Sequence, residues 1–236
     1  YLAYKVNNDD FDIFIKEFFQ DKEARGLNIT LPHKKRAASL EGEISQEARY
    51  INAVNTIHNE NDKLRLFSTD GVGFIKDIEN KKFNLKNKNI LVIGAGAAVE
   101  SILYRVATAK PKKITVINRT LEKADRLIRK FGNMTRIKSE VDIDKPFDLV
   151  INGSSAGLTG DFFPEENIPL TPKAYFYDLN YSLTETPFCK WAKEKSDDVY
   201  DGMGMLVYQA AYSFEKWFDV FPNTDIVIND LEAMRE

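Results

Sequence analysis

The chain has 236 residues and 27.0 kDa, enough for one large domain or two modest ones with a real hydrophobic core. Hydrophobic residues make up 43% and charged residues 29%, with only 12 Gly and 8 Pro, which excludes a disordered, collagenous or low-complexity chain. Lys plus Arg number 33 against 36 Asp plus Glu, a net charge of −3, so no global field draws the protein to nucleic acid or an anionic membrane, and a small-molecule partner is expected.

Residues 1–6 read as a strand and 7–10 as a turn able to cap the next helix. This start lacks the basic and apolar regions of a signal peptide and lacks an initiator Met, so the chain is expected to begin inside a gene product or to have been trimmed. Phe11, Phe14, Ile15, Phe18 and Phe19 then fall at helical spacing and predict an amphipathic helix. After Gly26, residues 27–31 alternate apolar and polar, a half-buried strand presenting Asn28 and Thr30 on one face and ending at Pro32. Lys34 comes next, between His33 and the cations Lys35 and Arg36. With Asn28 and Thr30 it marks a polar-ligand site; three adjacent cations also fit a solvated helix start with a solvent-facing His33, and local sequence leaves both open.

Residues 50–57 form a second apolar run, interrupted by Asn52 and Asn55. Residues 64–67 predict a strand, and 68–74 turn it into a helix that Ser68, Thr69 or Asp70 can cap. The polar, Lys-rich stretch 81–89 has the composition of an interdomain connector.

A buried strand then enters Gly94-Ala95-Gly96-Ala97-Ala98 and a helix to Ala109. Its run 90–99 is the longest apolar candidate in the chain, contains two glycines and is half the length a bilayer span needs, so no membrane partner is expected. Strand, Gly turn and helix are the context in which a backbone can approach a pyrophosphate and a helix N-terminus can face it. Two departures stand out: Val99 occupies the third small-residue position, and Glu100 places an anion near the expected pyrophosphate, which predicts reduced affinity. The strand 114–117 ends in Asn118-Arg119-Thr120, with Lys123 one turn on, about where NAD binders place an acid for the ribose hydroxyl. Cations here favour a 2′-phosphate, hence NADP. Thr120 is also expected to cap the helix 121–131, closed by Gly132.

Two further buried strands, 147–152 and 174–180, end in polar loops, 153–157 and 181–182, that should face the ligand. Thr186-Pro187 starts a helix carrying the sole cysteine, Cys189. A single cysteine suits a reducing, cytoplasmic setting, and with no His near it in sequence it is given no catalytic role. Residues 202–218 form a long helix in which Gln209 interrupts the apolar side and Met203 is expected in the core, and 225–236 form a last amphipathic helix.

Taken in order, these segments resemble the shikimate dehydrogenase family. The motifs are N-I-T-L-P-H-K at 28–34, A-V-N-T at 53–56, T-D-G-V-G at 69–73, G-A-G-A-A at 94–98, N-R-T at 118–120, I-N-G-S-S-A-G at 151–157, Y-D-L-N-Y at 177–181 and D-G-M-G-M-L-V-Y-Q-A-A at 201–211. The resemblance implies an α/β fold: a Rossmann NADP-binding domain at 73–204, and a smaller α/β substrate domain from 1–72 and 205–236, with a cleft between them. It implies NADP-dependent, reversible reduction of 3-dehydroshikimate to shikimate by a monomer or homodimer, without metal. Lys34 would be the catalytic Lys with Asp70 its acidic partner, and Asn28, Thr30, Asn55, Tyr181 and Gln209 would contact substrate. Gly94, Ala95, Gly96, Ala97, Ala98, Asn118, Arg119, Thr120, Lys123, Leu179 and Gly202 would form the cofactor wall, with Met205 near the nicotinamide. Family members carry a strand, an H-S-x-S-P loop whose serines grip the substrate carboxylate, and a helix ahead of the strand at Tyr1, roughly thirty residues or one βα unit; full shikimate binding is expected to need that element. The alternatives are a relative accepting quinate or using NAD, a non-catalytic shikimate- or cofactor-sensing homologue, and a folate-linked dehydrogenase. Arg119 argues against NAD, intact Lys34 and Asp70 against the sensor, and N-I-T-L-P-H-K together with T-D-G-V-G against the folate enzyme.

Overall fold

A computed structural model describes residues 1–139, 145–155 and 168–235. The chain divides into two units, residues 1–69 with 210–222 and residues 70–209 with 223–236.

The first unit holds a four-stranded sheet in the order β1-β3-β4-β2: β1 (Gly26–Asn28), β2 (Glu43–Ile44), β3 (Thr56–Glu60) and β4 (Lys63–Phe67). β3 and β4 form an antiparallel hairpin whose two turn residues, Asn61 and Asp62, both adopt positive φ (53° and 62°), the conformation that short polar side chains tolerate and that matches strand twist. β1 adds antiparallel to β3, and β2 parallel to β4. Helices α1 (Phe11–Phe18), α2 (Lys34–Ala37) and α3 (Gln46–Ile51) complete it. The core gathers Phe11 and Ile15 of α1 with Ala37, Ala48, Ile57 and Leu66, the helical and alternating positions of their elements. The strand expected over 1–6 does not form. Tyr1 and Leu2 are 95% and 74% exposed, and the Val6 carbonyl instead accepts from the His33 ring. β1 likewise stops at Asn28, leaving Leu31 exposed just before Pro32.

The second unit is a six-stranded parallel sheet in the order β10-β9-β8-β5-β6-β7. Its elements run α4 (Asp70–Asn80), β5 (Asn89–Ile93), α5 (Ala97–Thr108), β6 (Lys113–Ile117), α6 (Leu121–Phe131), β7 (Ile137–Lys138), β8 (Phe147–Asn152), β9 (Leu170–Asp178), α7 (Pro187–Lys193), β10 (Val199–Tyr200), α8 (Met203–Phe218) and α9 (Thr224–Ala233). α8 gives its residues up to Gln209 to this unit and the remainder to the first. Ile90, Leu91 and Val92 of β5 are wholly buried, as expected for a strand covered on both faces. From β5 the sheet grows one way through β6 and β7 and the other way through β8, β9 and β10, so the strand order reverses between β5 and β8. In open parallel sheets the crevice beyond the strand ends at such a reversal is where ligands bind.

Three segments differ from expectation. Residues 81–89 are internal to this unit: Phe83 and Leu85 are buried, and the unit begins at Asp70. The C-terminal helix, expected with the first unit, belongs to the second, where Arg235 meets Asp201 at 2.5 Å and the Ser182 carbonyl at 3.1 Å. Gly132 ends α6 in right-handed geometry. Ala156 and Gly157 of the I-N-G-S-S-A-G motif lie outside the described residues. Among the described residues no helix is long and apolar enough to cross a membrane, and no group of His, Cys, Asp and Glu side chains could hold a metal.

Candidate active site

In the first unit, the polar residues of two sequence motifs converge. Lys34 opens α2, and its carbonyl accepts from Val54 N–H at 2.9 Å, while Asn55 carbonyl accepts from Ile29 N–H at 2.8 Å. Asn28 donates through Nδ2 to the Ser213 hydroxyl (2.9 Å) and to the Asn55 carbonyl (3.2 Å). Asn55, only 3% exposed, takes Thr69 N–H at 2.8 Å and Thr56 hydroxyl at 2.9 Å on its Oδ1, and donates to Thr69 Oγ1 at 2.9 Å. Its side chain thereby fixes Thr69, the residue directly before Asp70. Buried polar groups demand such pairing, since each one left unpaired costs about 1–3 kcal/mol. Thr30 is exposed. Thr56 and Ser213 join this network without being singled out by the sequence, and Thr69 reads there only as a possible helix cap; of the three, only Ser213, set between Tyr212 and Phe214, carries a signal, a hydroxyl within an apolar helical run.

The cations after β1 have separate fates. Arg36 binds Asp12 of α1 through two nitrogens (3.1 and 2.7 Å) and the Asn8 carbonyl, and the guanidinium holds the Asp12 carboxyl below its usual range. Lys35 is exposed. His33 is not a solvent-facing residue: its ring stacks on Phe11 with centroids 4.8 Å apart and its Nε2 donates to the Val6 carbonyl at 2.9 Å, anchoring the residue before Lys34.

In the second unit Asp70, 5% exposed, is the first residue of α4. β5 ends in the Gly turn. Gly94 has φ +106°, and a Cβ there would fall 2.8 Å from the Gly153 backbone, so only glycine fits. At Gly96 a Cβ would meet nothing nearer than the Gly153 oxygen at 3.9 Å; Gly96, Ala97 and Ala98 are exposed, and no side chain caps α5. Ala95 is buried beneath the turn. An uncapped helix N-terminus with open space above small residues fits a diphosphate. Val99, the departure from the small-residue pattern, is accommodated from the opposite side: Gly153, just past β8, leaves room for its Cγ2. Glu100 does not stand as an unpaired anion. It is 7% exposed and paired with Arg126 (3.2 Å) and Lys130 (2.8 Å) of α6.

Beyond β6, Arg119, Thr120 and Lys123 are exposed, and Asn118 Nδ2 donates to the Thr120 carbonyl at 2.8 Å. Thr120 occupies the N-cap position of α6 without a side-chain cap bond, so the expected capping role is not used. These groups suit an anion at the ribose end of a dinucleotide.

The ends of β8 and β9 are organised by a buried acid that the sequence reading passes over. Asp178 Oδ1 accepts from Asn152 Nδ2 (2.9 Å), Asn180 N–H (3.1 Å) and Asn180 Nδ2 (2.9 Å), and Oδ2 accepts from the Thr186 hydroxyl (2.8 Å). Burial nevertheless pushes its pKa up. Leu179 N–H donates to the Asn152 carbonyl, Gly202 N–H donates to the Asn180 carbonyl, and Tyr181 is half exposed. A second buried acid, Asp77 of α4, receives the Tyr177 hydroxyl at 2.6 Å and the Met205 N–H. A Cβ on Gly204 would lie 2.1 Å from its carboxylate, which explains the second glycine of D-G-M-G-M. α4, β9 and α8 are thus tied at one point; Asp70 starts α4, Leu179 directly follows β9, and Met205 lies in the first turn of α8. Gln209 donates to the Leu206 carbonyl, and Met203 is buried as expected. Cys189 is buried, and desolvation pushes its thiol up to about 12, consistent with no catalytic role.

A parallel sheet with a strand-order reversal, a Gly turn opening a helix at that reversal, and exposed cations after the next strand define a Rossmann-type dinucleotide-binding protein. Sequence comparison narrows the class. Residues 1–57 match the family model for the shikimate dehydrogenase substrate binding domain, 77–158 that for shikimate/quinate 5-dehydrogenase, and 202–236 that for the shikimate 5′-dehydrogenase C-terminal domain. Relatives include the shikimate dehydrogenases (NADP(+)) of Legionella pneumophila, 39% identical over 97% of this chain and 86% of that protein, and of Hahella chejuensis, 37% identical over 98% and 87%. Among solved structures, shikimate 5-dehydrogenase from Thermus thermophilus in complex with NADP(H) and shikimate has a TM-score of 0.85 at 29% identity, covering 98% of this chain and 87% of that one. The chain belongs to the shikimate dehydrogenase family.

Proposed function

We propose that the protein catalyses the reversible NADP-dependent reduction of 3-dehydroshikimate to shikimate, a step towards the aromatic amino acids. The observation that carries this reading is the 39% identity over 97% of the chain to a protein named shikimate dehydrogenase (NADP(+)), with Lys34 and Asp70 in their motifs. NADP supplies the hydride acceptor and donor. Lys34 and Asp70 handle the proton of the C3 hydroxyl, because an alcohol losing hydride must also lose its proton, and a ketone gaining hydride needs one at the forming alkoxide. Asn28, Thr30, Asn55, Tyr181 and Gln209 orient the substrate. Gly94 to Ala98 hold the diphosphate, while Asn118, Arg119, Thr120 and Lys123 hold the 2′-phosphate. Leu179, Gly202 and Met205 bound the nicotinamide. Small molecules are the partners, and the working form is a monomer or homodimer.

The test measures nicotinamide reduction with NADP+ and shikimate, NADP+ and quinate, and NAD+ and shikimate. The first pair is expected to turn over fastest. Retained NADP+ binding without turnover of any pair would replace the enzyme with a sensing homologue.

A further inference from the structure

We infer that Glu100 is a positioning residue for cofactor selectivity: by binding Arg126 and Lys130 it sets the distance between the diphosphate and 2′-phosphate subsites. The inference rests on the NADP reading above. Glu100 lies in the first turn of α5, whose N-terminus faces the diphosphate, and its carboxylate is nearly buried at 7% exposure. From there it reaches α6, meeting Arg126 Nη2 with Oε2 at 3.2 Å and Lys130 Nζ with Oε1 at 2.8 Å. α6 is the helix whose first turn carries Lys123 and which begins directly after Arg119 and Thr120. Both oxygens of one carboxylate thus fix α6 against α5, holding its register along its axis. Arg126 and Lys130 lie one and two turns in from Lys123 on α6, so a slide of that helix moves the 2′-phosphate cradle with it.

The paired and unpaired states of this carboxylate have opposite consequences for binding. An unpaired anion beside the diphosphate would weaken every dinucleotide, and removing it would tighten NADP+ and NAD+ alike. An anion consumed by two cations on α6 does not repel the diphosphate. Removing it loosens the second phosphate site only, which NAD+ does not use. Arg126 is half exposed, so its share is screened; the Lys130 bond, with the lysine 24% and the glutamate 9% exposed, dominates.

The experiment measures dissociation constants of NADP+ and NAD+ by calorimetry, without turnover, for the wild type, Glu100→Gln, Lys130→Gln and the double variant, with folding checked by circular dichroism. Glu100→Gln is expected to weaken NADP+ by about three- to ten-fold and NAD+ by less than about two-fold. The double variant should bind NADP+ no worse than the weaker single one, because both substitutions break the same tie. Equal tightening of both dinucleotides by Glu100→Gln, or no change in the NADP+ to NAD+ ratio, overturns the inference. If Glu100→Gln does not fold, Lys130→Gln decides from the α6 side: an unchanged ratio there overturns it. A wild type that binds no NADP+ overturns the functional reading itself, and the inference with it.

Discussion

Val99 and Gly153 fit together as knob and hole: a Cβ on Gly153 would come within 2.3 Å of Val99 Cγ2 and 2.9 Å of Leu179 Cδ1. The small residue that a dinucleotide-binding turn normally keeps on its helix has been moved to the neighbouring strand end, so the helix packs closely despite a branched side chain. Gly153→Ala is therefore expected to destabilise the fold by about 1–3 kcal/mol through overpacking. Adding Val99→Ala should recover part of that loss. Thermal or urea unfolding of the two single variants and the double variant measures the coupling, and strict additivity would show that the contact is not the cause.

Asp178 gives stability a definite pH dependence. Its folded pKa is raised above the ordinary 3.8 by burial, against the opposing hydrogen bonds. A carboxyl with a raised folded pKa contributes most when protonated, so its contribution is complete below about pH 3.8 and falls as pH rises through the folded value. Asp178→Asn removes the titration and introduces an amide donor facing Asn152, Asn180 and Thr186, all of which donate to this side chain. The variant should be less stable by about 1–3 kcal/mol, with the deficit shrinking as pH rises across that window. Urea midpoints at several pH values measure this, and a deficit that grew with pH would contradict it.

Cys189 predicts an inert thiol. It is buried, desolvation pushes it up to about 12, and it is the sole cysteine, so alkylation reports on one position. Iodoacetamide at neutral pH should label the native protein far more slowly than the urea-unfolded chain, with no loss of cofactor binding. Native labelling at the unfolded rate would show the site opens freely.

Much of the second unit is legible in the sequence because parallel strands buried on both faces read as apolar runs, and α5, α6 and α8 keep a helical period. β7 and β10 are two residues long and too short to carry any period. The apolar composition of residues 1–6 suggests a strand, but a strand forms only where a partner supplies the ladder, and composition does not report partners. The Gly turn is legible because its strand, glycines and helix are consecutive in the sequence, whereas local sequence leaves Lys34 and Asp70 open and only the order of the motifs around them suggests a role. Glu100 reads from sequence as a repulsive anion because its partners lie 26 and 30 residues further on, a pairing only the packing of two helices creates. Asp77 carries a usable signal: it falls on the same buried face of α4 as Phe74 and Ile78, and an acid on an apolar face implies a built partner, here Tyr177.

The central claim, that Lys34 acts on the reacting hydroxyl, is tested most directly by comparing kcat with NADP+ affinity in Lys34→Ala. The account predicts a fall in kcat for shikimate oxidation of about 10²-fold or more, with the NADP+ dissociation constant within about two-fold of wild type. An unchanged kcat would contradict it.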